Sequence, residues 1–259
     1  MTDYKNIKVE DREPGIAVVT VDRPDALNAL NEEVLSELFS AARALSDRAD
    51  LRAVILTGAG RAFVAGADIR AMLQMSPEQA EAFAKAGHKT MSAIAAIPVP
   101  VIAAINGFAL GGGLELALSC DLIYMSEKAK VGLPEVGLGL IPGFGGTQRL
   151  GRLIGPHAAR ELTYTGKTID AQAALALGLT LAVFPPDTFM DEVMAVARQI
   201  AQRGPLAIRT AKQCMEDGRD LALVDALEQE RAIFSRLFFE QERIEGMTAF
   251  IEKRQPNWK

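Results

Sequence analysis

Histidine is scarce in this chain: His88 and His157 are the two present among 259 residues. One stands beside Lys89 and the other shortly before Arg160, contexts that suit solvated helix positions. Neither a Ser-His-Asp triad nor a histidine-built metal site fits two such residues. The two cysteines, Cys120 and Cys214, have no metal-ligand spacing. Isolated thiols of this kind point to a reducing compartment and to idle or buried side chains. No apolar run is long enough to span a bilayer; the longest, residues 94–110, is broken by Pro98, Pro100, Asn106 and Gly107. Residues 1–10 are polar and carry neither an apolar signal core nor an Arg/Ser-rich leader pattern. The expectation is a cytoplasmic protein away from membranes. Positive charge is not in excess either. A net charge of -5 gives no electrostatic footprint for nucleic acid, although a local basic patch could hold a phosphorylated ligand. Internal repeats and low-complexity tracts are absent from the sequence.

The glycines invite a nucleotide-binding reading, and two residues exclude it. Gly58 and Gly60 follow an apolar run, but Phe63 stands where a dinucleotide fingerprint needs its third glycine. Gly166-Lys167-Thr168 ends like a phosphate-binding loop, but Glu161 occupies the position of that motif's first glycine.

What is present is ordinary globular composition, 49% hydrophobic and 24% charged, in a length that suits one large α/β domain or a core with a smaller appendage. Residues 16–21 and 53–57 (AVILT) are short β-branched runs that read as strands, and residues 101–105 read as a third. Asn31 opens a helix whose Val34, Leu35, Leu38, Phe39, Ala42 and Leu45 share one face. A glycine-bearing loop is expected over 58–66, a helix over 78–96, a short helix from Leu114 to about Ser119, and a strand over 122–125. Alternation of strand and helix predicts an α/β fold with parallel pairing. From Asp187 onward four helical segments are expected, broken near Gly204-Pro205, Gly218 and Glu240. The division proposed is an α/β core over residues 1–200 and a helical region over 201–259.

Three segments carry the chemistry. Residues 106–115 (NGFALGGGLE) place three glycines directly before a helix. The first N–H groups of a helix lack partners and carry partial positive charge, a setting for a developing oxyanion. A glycine-rich tight turn is the simpler reading. Glu115 is either a helix-start acid or a buried carboxylate facing the glycine loop. Glu135 lies in GLPEVGLGLIPGFGG among apolar residues and glycines, unusual company for a surface acid. Two carboxyls in apolar surroundings make an acid/base pair, one kept protonated by burial and repulsion. The third segment, residues 61–70 (RAFVAGADIR), offers further backbone N–H groups, with Asp68 as a potential helix cap.

Together, RAFVAGADI, AAINGFALGGGLELALSCDLIY, GLPEVGLGLIPGFGGTQRL, EGMTAFIEKR and DRPDALNAL closely resemble the enoyl-CoA hydratase/isomerase, or crotonase, family over nearly the whole chain. The resemblance implies a spiral of repeated ββα units with a helical C-terminal region used for assembly into homotrimers or homohexamers built as dimers of trimers. It implies Glu115 and Glu135 as the catalytic pair and the N–H groups of Ala67 and Gly112 as the oxyanion hole. Gly111 is expected to line the substrate site, and Gly143 matches a glycine that lets substrate approach. An acyl-CoA thioester is the implied ligand, lying along Ala65, Asp68, Ile69 and Arg70. Arg70 stands where lysine is often found, which keeps the charge and changes the phosphate geometry. Phe234, Phe250 and Lys253 match C-terminal CoA contacts, in part from a neighbouring subunit. No metal and no separate cofactor are expected, since coenzyme A arrives as part of the substrate.

The implied reaction is addition of water across the C2=C3 bond of a 2-enoyl-CoA, in fatty-acid β-oxidation or a related degradation. Alternatives within the family are an isomerase and a hydratase for aromatic or dicarboxylic acyl groups; outside it, an RNA-binding relative, which the acidic charge disfavours. Met72, Leu73, Met75 and the loop at Phe144 are candidates for an acyl pocket, or ordinary core residues.

Overall fold

In the computed structural model, which describes residues 4–258, the chain opens with an antiparallel hairpin of β1 (Ile7–Glu13) and β2 (Ile16–Val21). Met1–Asp3 and Lys259, the ends of the two regions drawn from the sequence, lie outside the described residues. After α1 (Glu32–Ser46) the chain repeats one unit, a long strand, a short strand and a helix. The first turn is β3 (Ala53–Gly58), β4 (Ala62–Val64), then α2 (Ile69–Met72) and α3 (Pro77–Ala95). The second is β5 (Val101–Ile105), β6 (Phe108–Leu110) and α4 (Gly112–Ala117). The third is β7 (Leu122–Ser126), β8 (Lys130–Gly132), a 3-10 turn over Pro134–Leu138, and α5 (Gly146–Ile154). Then come α6 (Pro156–Thr165), β9 (Thr168–Asp170), α7 (Ala171–Ala176), β10 (Ala182–Phe184), α8 (Phe189–Ala201), α9 (Pro205–Gly218), α10 (Leu223–Arg236) and α11 (Gln241–Glu252).

Each turn gives its long strand to one sheet, ordered β1-β2-β3-β5-β7-β10, and its short strand to another, ordered β4-β6-β8-β9. Pairing is parallel along the spiral and antiparallel at β1–β2 and β8–β9. The long strands read as unbroken apolar runs because both faces of their sheet are covered. Ala17, Val19, Val54 and Leu56 face the cluster that includes Leu35, Leu38 and Met91 of α1 and α3. Their neighbours Ile16, Val18, Ile55 and Ile102 face Phe189, Val193 and Ala197 of α8.

One sequence expectation changes here, and one strand was not foreseen. The segment 58–66 is not loop throughout, since Ala62, Phe63 and Val64 form the fully buried β4. Three residues are too few for periodicity to register. The polar N-terminal segment contains β1, an edge strand paired on one side only. Ile7 is buried and Val9 partly so, while the charged residues between and beyond them stay at the surface, as the alternation rule for a half-covered strand allows.

α9 is fastened to the core. Arg209 donates to the carbonyls of Arg48 and Leu51 at 3.1 and 3.0 Å, and Lys212 pairs with Asp121 at 2.6 Å. α10, α11 and the turn between them leave Leu223, Val224, Phe239, Phe250 and Ile251 exposed. His88 and His157 are exposed on helices, and Cys120 and Cys214 are free thiols. Among the described residues no helix is long and apolar enough to cross a membrane.

Candidate active site

The segment around DRPDALNAL builds the first of the two predicted donor loops. Residues 27–30 run beside residues 65–68. Ala65 N–H donates to Leu27 O (3.0 Å), Leu30 N–H to Gly66 O (2.8 Å), and Asp68 N–H to Leu30 O (2.8 Å). These bonds consume the amides of Ala65 and Asp68 and leave the Ala67 N–H without an acceptor among the described residues. Asn28 locks the arrangement. It is fully buried with φ at 62°, a left-handed conformation that asparagine tolerates. Its side-chain amide donates to the carbonyls of Ala59, Ala62 and Phe63, and its Oδ1 accepts the Arg23 N–H.

The second loop lies beside the first because β4 and β6 are parallel neighbours. Contact is intimate enough that a β-carbon on Gly113 would strike the Val64 carbonyl. Gly111 turns the chain into α4 with φ at +51° and ψ at -123°, a conformation an L side chain rarely adopts. Its own N–H is taken by Gly132 O at 2.9 Å. The next amide, that of Gly112, opens the helix and has no intramolecular acceptor among the described residues, as first-turn amides do. Leu30 joins the two loops: its backbone brackets Ala67, and its side chain lies 3.3 Å from where a Gly112 β-carbon would be.

Glu115 sits one turn further on, with 1% of its surface exposed. Its Oε1 accepts the N–H groups of Phe144 and Gly146, both at 2.7 Å. Glu135 comes from the start of the 3-10 turn that follows β8 and lies against Gly111, whose β-carbon would stand 2.7 Å from Glu135 Oε1. Glu135 Oε2 is buried and has no hydrogen-bond partner among the described residues. Burial raises the Glu115 carboxyl above its usual value, while the two amides and the Arg149 guanidinium oppose the shift. Glu135 is pushed up to about 7, first by burial and then by the charge of Glu115. The two carboxyls therefore differ in kind. One is cradled by donors that favour the ionised form, and the other holds a bare oxygen in a dry place that favours the protonated form.

Arg149 and Phe144 had not been given these roles from the sequence. Arg149 curls beneath its own loop and donates to the Phe144 carbonyl at 3.0 Å. It fills the space that a side chain on Gly145 would need. The hint in the sequence was an arginine three residues after the glycine pair Gly145-Gly146.

The remaining predicted residues divide. Asp68 caps α2 through Ala71 N–H (3.4 Å) and lies 3.7 Å from Arg23. Ile69 and Arg70 are exposed on α2, and Ala65 and Gly143 are half-buried. A β-carbon on Gly143 would meet nothing within 4 Å. The Gly111 amide is already bonded to Gly132 O and its α-carbon seats Glu135, so it shapes the site from below. Met72 and Met75 pack on the core, while Leu73 is exposed. Phe234, Phe250 and Lys253 are not brought to the glutamates by this chain. Phe234 lines a groove of about 280 Å³ with Leu206, Met247 and Trp258, and Phe250 is 85% exposed.

Comparison with known proteins agrees with this architecture. The family model described as enoyl-CoA hydratase/isomerase matches residues 11–259. A crotonyl-CoA hydratase of Syntrophomonas wolfei is 44% identical over 256 residues, 98% of each chain. A short-chain-enoyl-CoA hydratase of Clostridium acetobutylicum is 43% identical over 251 residues, 96% of each. The crystal structure of an enoyl-CoA hydratase from Bacillus anthracis superposes with a TM-score of 0.96 at 41% identity, covering 98% of this chain and 99% of that one.

Proposed function

The chain belongs to the enoyl-CoA hydratase/isomerase family, and from that premise we propose that it is a hydro-lyase that adds water to a 2-enoyl-CoA thioester to give the 3-hydroxyacyl-CoA. The observation that carries the reading is the pair Glu115 and Glu135, one cradled by amides and the other bare, beside two unpaired backbone N–H groups. In the proposed reaction the thioester oxygen accepts from Ala67 and Gly112. Glu115 takes a proton from water as its oxygen bonds to C3. The C2=C3 electrons move toward the thioester oxygen, and protonated Glu135 delivers its proton to C2. Each donor to the developing enolate is worth roughly 3 kcal/mol. The reverse sequence dehydrates the product.

Coenzyme A is proposed to follow Ala65, Asp68, Ile69 and Arg70. Phe234, Phe250 and Lys253 would reach it from a neighbouring copy, and for this reason the proposed working form is a homotrimer or a pair of trimers. The exposed apolar side chains of α10 and α11 support that assembly. Its test is the mass in solution by light scattering; a monomer would remove it. The proposed setting is fatty-acid β-oxidation or a related acyl-CoA degradation in the cytoplasm.

The test of activity is direct. The protein is mixed with crotonyl-CoA, the conjugated thioester absorbance is followed, and products are identified by mass. Water addition that is abolished in Glu115→Gln and Glu135→Gln supports a hydratase. Migration of a double bond without water addition would make it an isomerase, and absence of acyl-CoA binding would overturn the reading.

A further inference from the structure

Phe144 is the residue whose placement the hydration chemistry does not by itself explain. Its ring is 4% exposed and spans two helices. One edge, Cδ1 and Cε1, fills the place where a β-carbon on Gly87 of α3 would stand. The opposite edge, Cδ2 and Cε2, lies 3.2 Å from the β-carbon position of Gly112. Phe83 of α3 meets the ring edge-to-face, with centroids 5.2 Å apart. Glycine in the middle of α3 costs about 1 kcal/mol relative to alanine, a cost the notch for this ring offsets. The same residue's N–H is one of the two that hold Glu115.

We propose that Phe144 is a positioning residue: its ring, keyed into the notch at Gly87 and resting on Gly112, holds the backbone of residues 144–146 on Glu115 and ties that carboxylate to the oxyanion donor. The inference rests on the hydratase reading for its effect on turnover. Its effect on Glu115 requires no substrate. Glu115 is faced by Glu135 from the 3-10 turn and by Arg149 from α5, and Arg149 is in turn influenced by Arg219 just after α9, by Cys120 and by Glu216 of α9. α3 presents Phe83 and Gly87 to the ring, with His88 and Lys89 exposed. The backbone amides are thus the contacts with Glu115 that the ring controls.

The experiment is carried out on the whole protein. Glu115 is titrated by carbon NMR of labelled glutamate in the unliganded state, its signal assigned with Glu115→Gln, and hydration kinetics are measured in parallel. In Phe144→Ala the Glu115 titration is expected to move up by about one pH unit as its amide donors loosen. The kcat is expected to fall about ten- to hundredfold with KM within about threefold. Gly87→Ala, which displaces the ring, should move both readings in the same direction, and Phe144→Leu should recover part of each. Should Phe144→Ala fail to fold, the other two variants carry the same measurements. A Phe144→Ala protein that melts earlier but keeps the normal Glu115 titration and kcat would make the ring a core filler and overturn the proposal. A change confined to KM would make it a substrate contact and do the same. A wild-type protein without hydration would sink the hydratase reading, while the Glu115 titration would still decide the role of Phe144.

Discussion

The carboxyl of Glu135 rests on the α-carbon of Gly111, close enough that a β-carbon there would stand 2.7 Å from Oε1. Gly111 also has φ at +51°, so two separate physical demands fall on one position. Gly111→Ala should fold with added strain and push Glu135 off its seat. Hydration is expected to fall at least about 100-fold, the scale of an ångström-sized misplacement. Gly151→Ala in α5, where a β-carbon would have 3.9 Å of room, serves as the control with ordinary activity. Equal activity in the two variants would remove Gly111 from the architecture of the site.

The rate should be bell-shaped in pH. Glu135, at about 7, is protonated below that value and loses its proton above it, so kcat/KM should decline on the alkaline side of about pH 7. Glu115 must be ionised, and burial lifts it above the ordinary 4.5, so the acid limb should lie above that value. The two titrations are coupled, and the limbs belong to the pair. In Glu115→Gln the repulsion on Glu135 is gone, and the NMR titration of Glu135 should move down. An unchanged Glu135 titration would show that the two carboxyls do not sense each other.

Glu135 should also cost stability at the pH where the enzyme works. Its proton is bound more tightly in the folded state, because the folded value of about 7 exceeds the ordinary 4.5. The stabilisation from that proton is complete below about 4.5 and lost as pH rises through about 7. Glu135→Gln removes the group that must ionise while buried. Its melting temperature relative to wild type should therefore be higher at pH 8 than at pH 5, even as hydration falls about 100-fold or more. A difference independent of pH would contradict the burial of Oε2.

Asn28→Ala would leave the carbonyls of Ala59, Ala62 and Phe63 without their side-chain donor and put alanine at φ 62°. The expected loss is about 3 kcal/mol in urea unfolding, from unpaired buried groups and left-handed strain. Turnover should drop with it, because residues 27–30 hold the amide of Ala67 between their bonds. A loss below about 1 kcal/mol would indicate that water replaces the amide.

Much of the site was legible because its parts are local. A glycine run at a helix start marks first-turn amides that have no partner within the helix, although the fold then gave the Gly111 amide to Gly132 O. Glutamates set among apolar residues at 115 and 135 imply shifted carboxyls wherever they are buried. The β-branched runs at 16–21, 53–57 and 101–105 announced the long strands, since strands covered on both faces must be apolar throughout. The short strand β4 was not legible: three residues show no period, and their burial depends on β6 beside them.

The sequence by itself determined the long strands and helices, the glycine turn and the chemical types at the site, because these follow from local propensity and side-chain character. Only the tertiary structure decided which amides stay unpaired, how Asn28 and Arg149 brace the loops, and that Glu115 lies near enough for its charge to act on Glu135 while the two sit in opposite surroundings. Those depend on the pairing of strands and on what each neighbour leaves unfilled, relationships between residues far apart in the chain that no local pattern encodes.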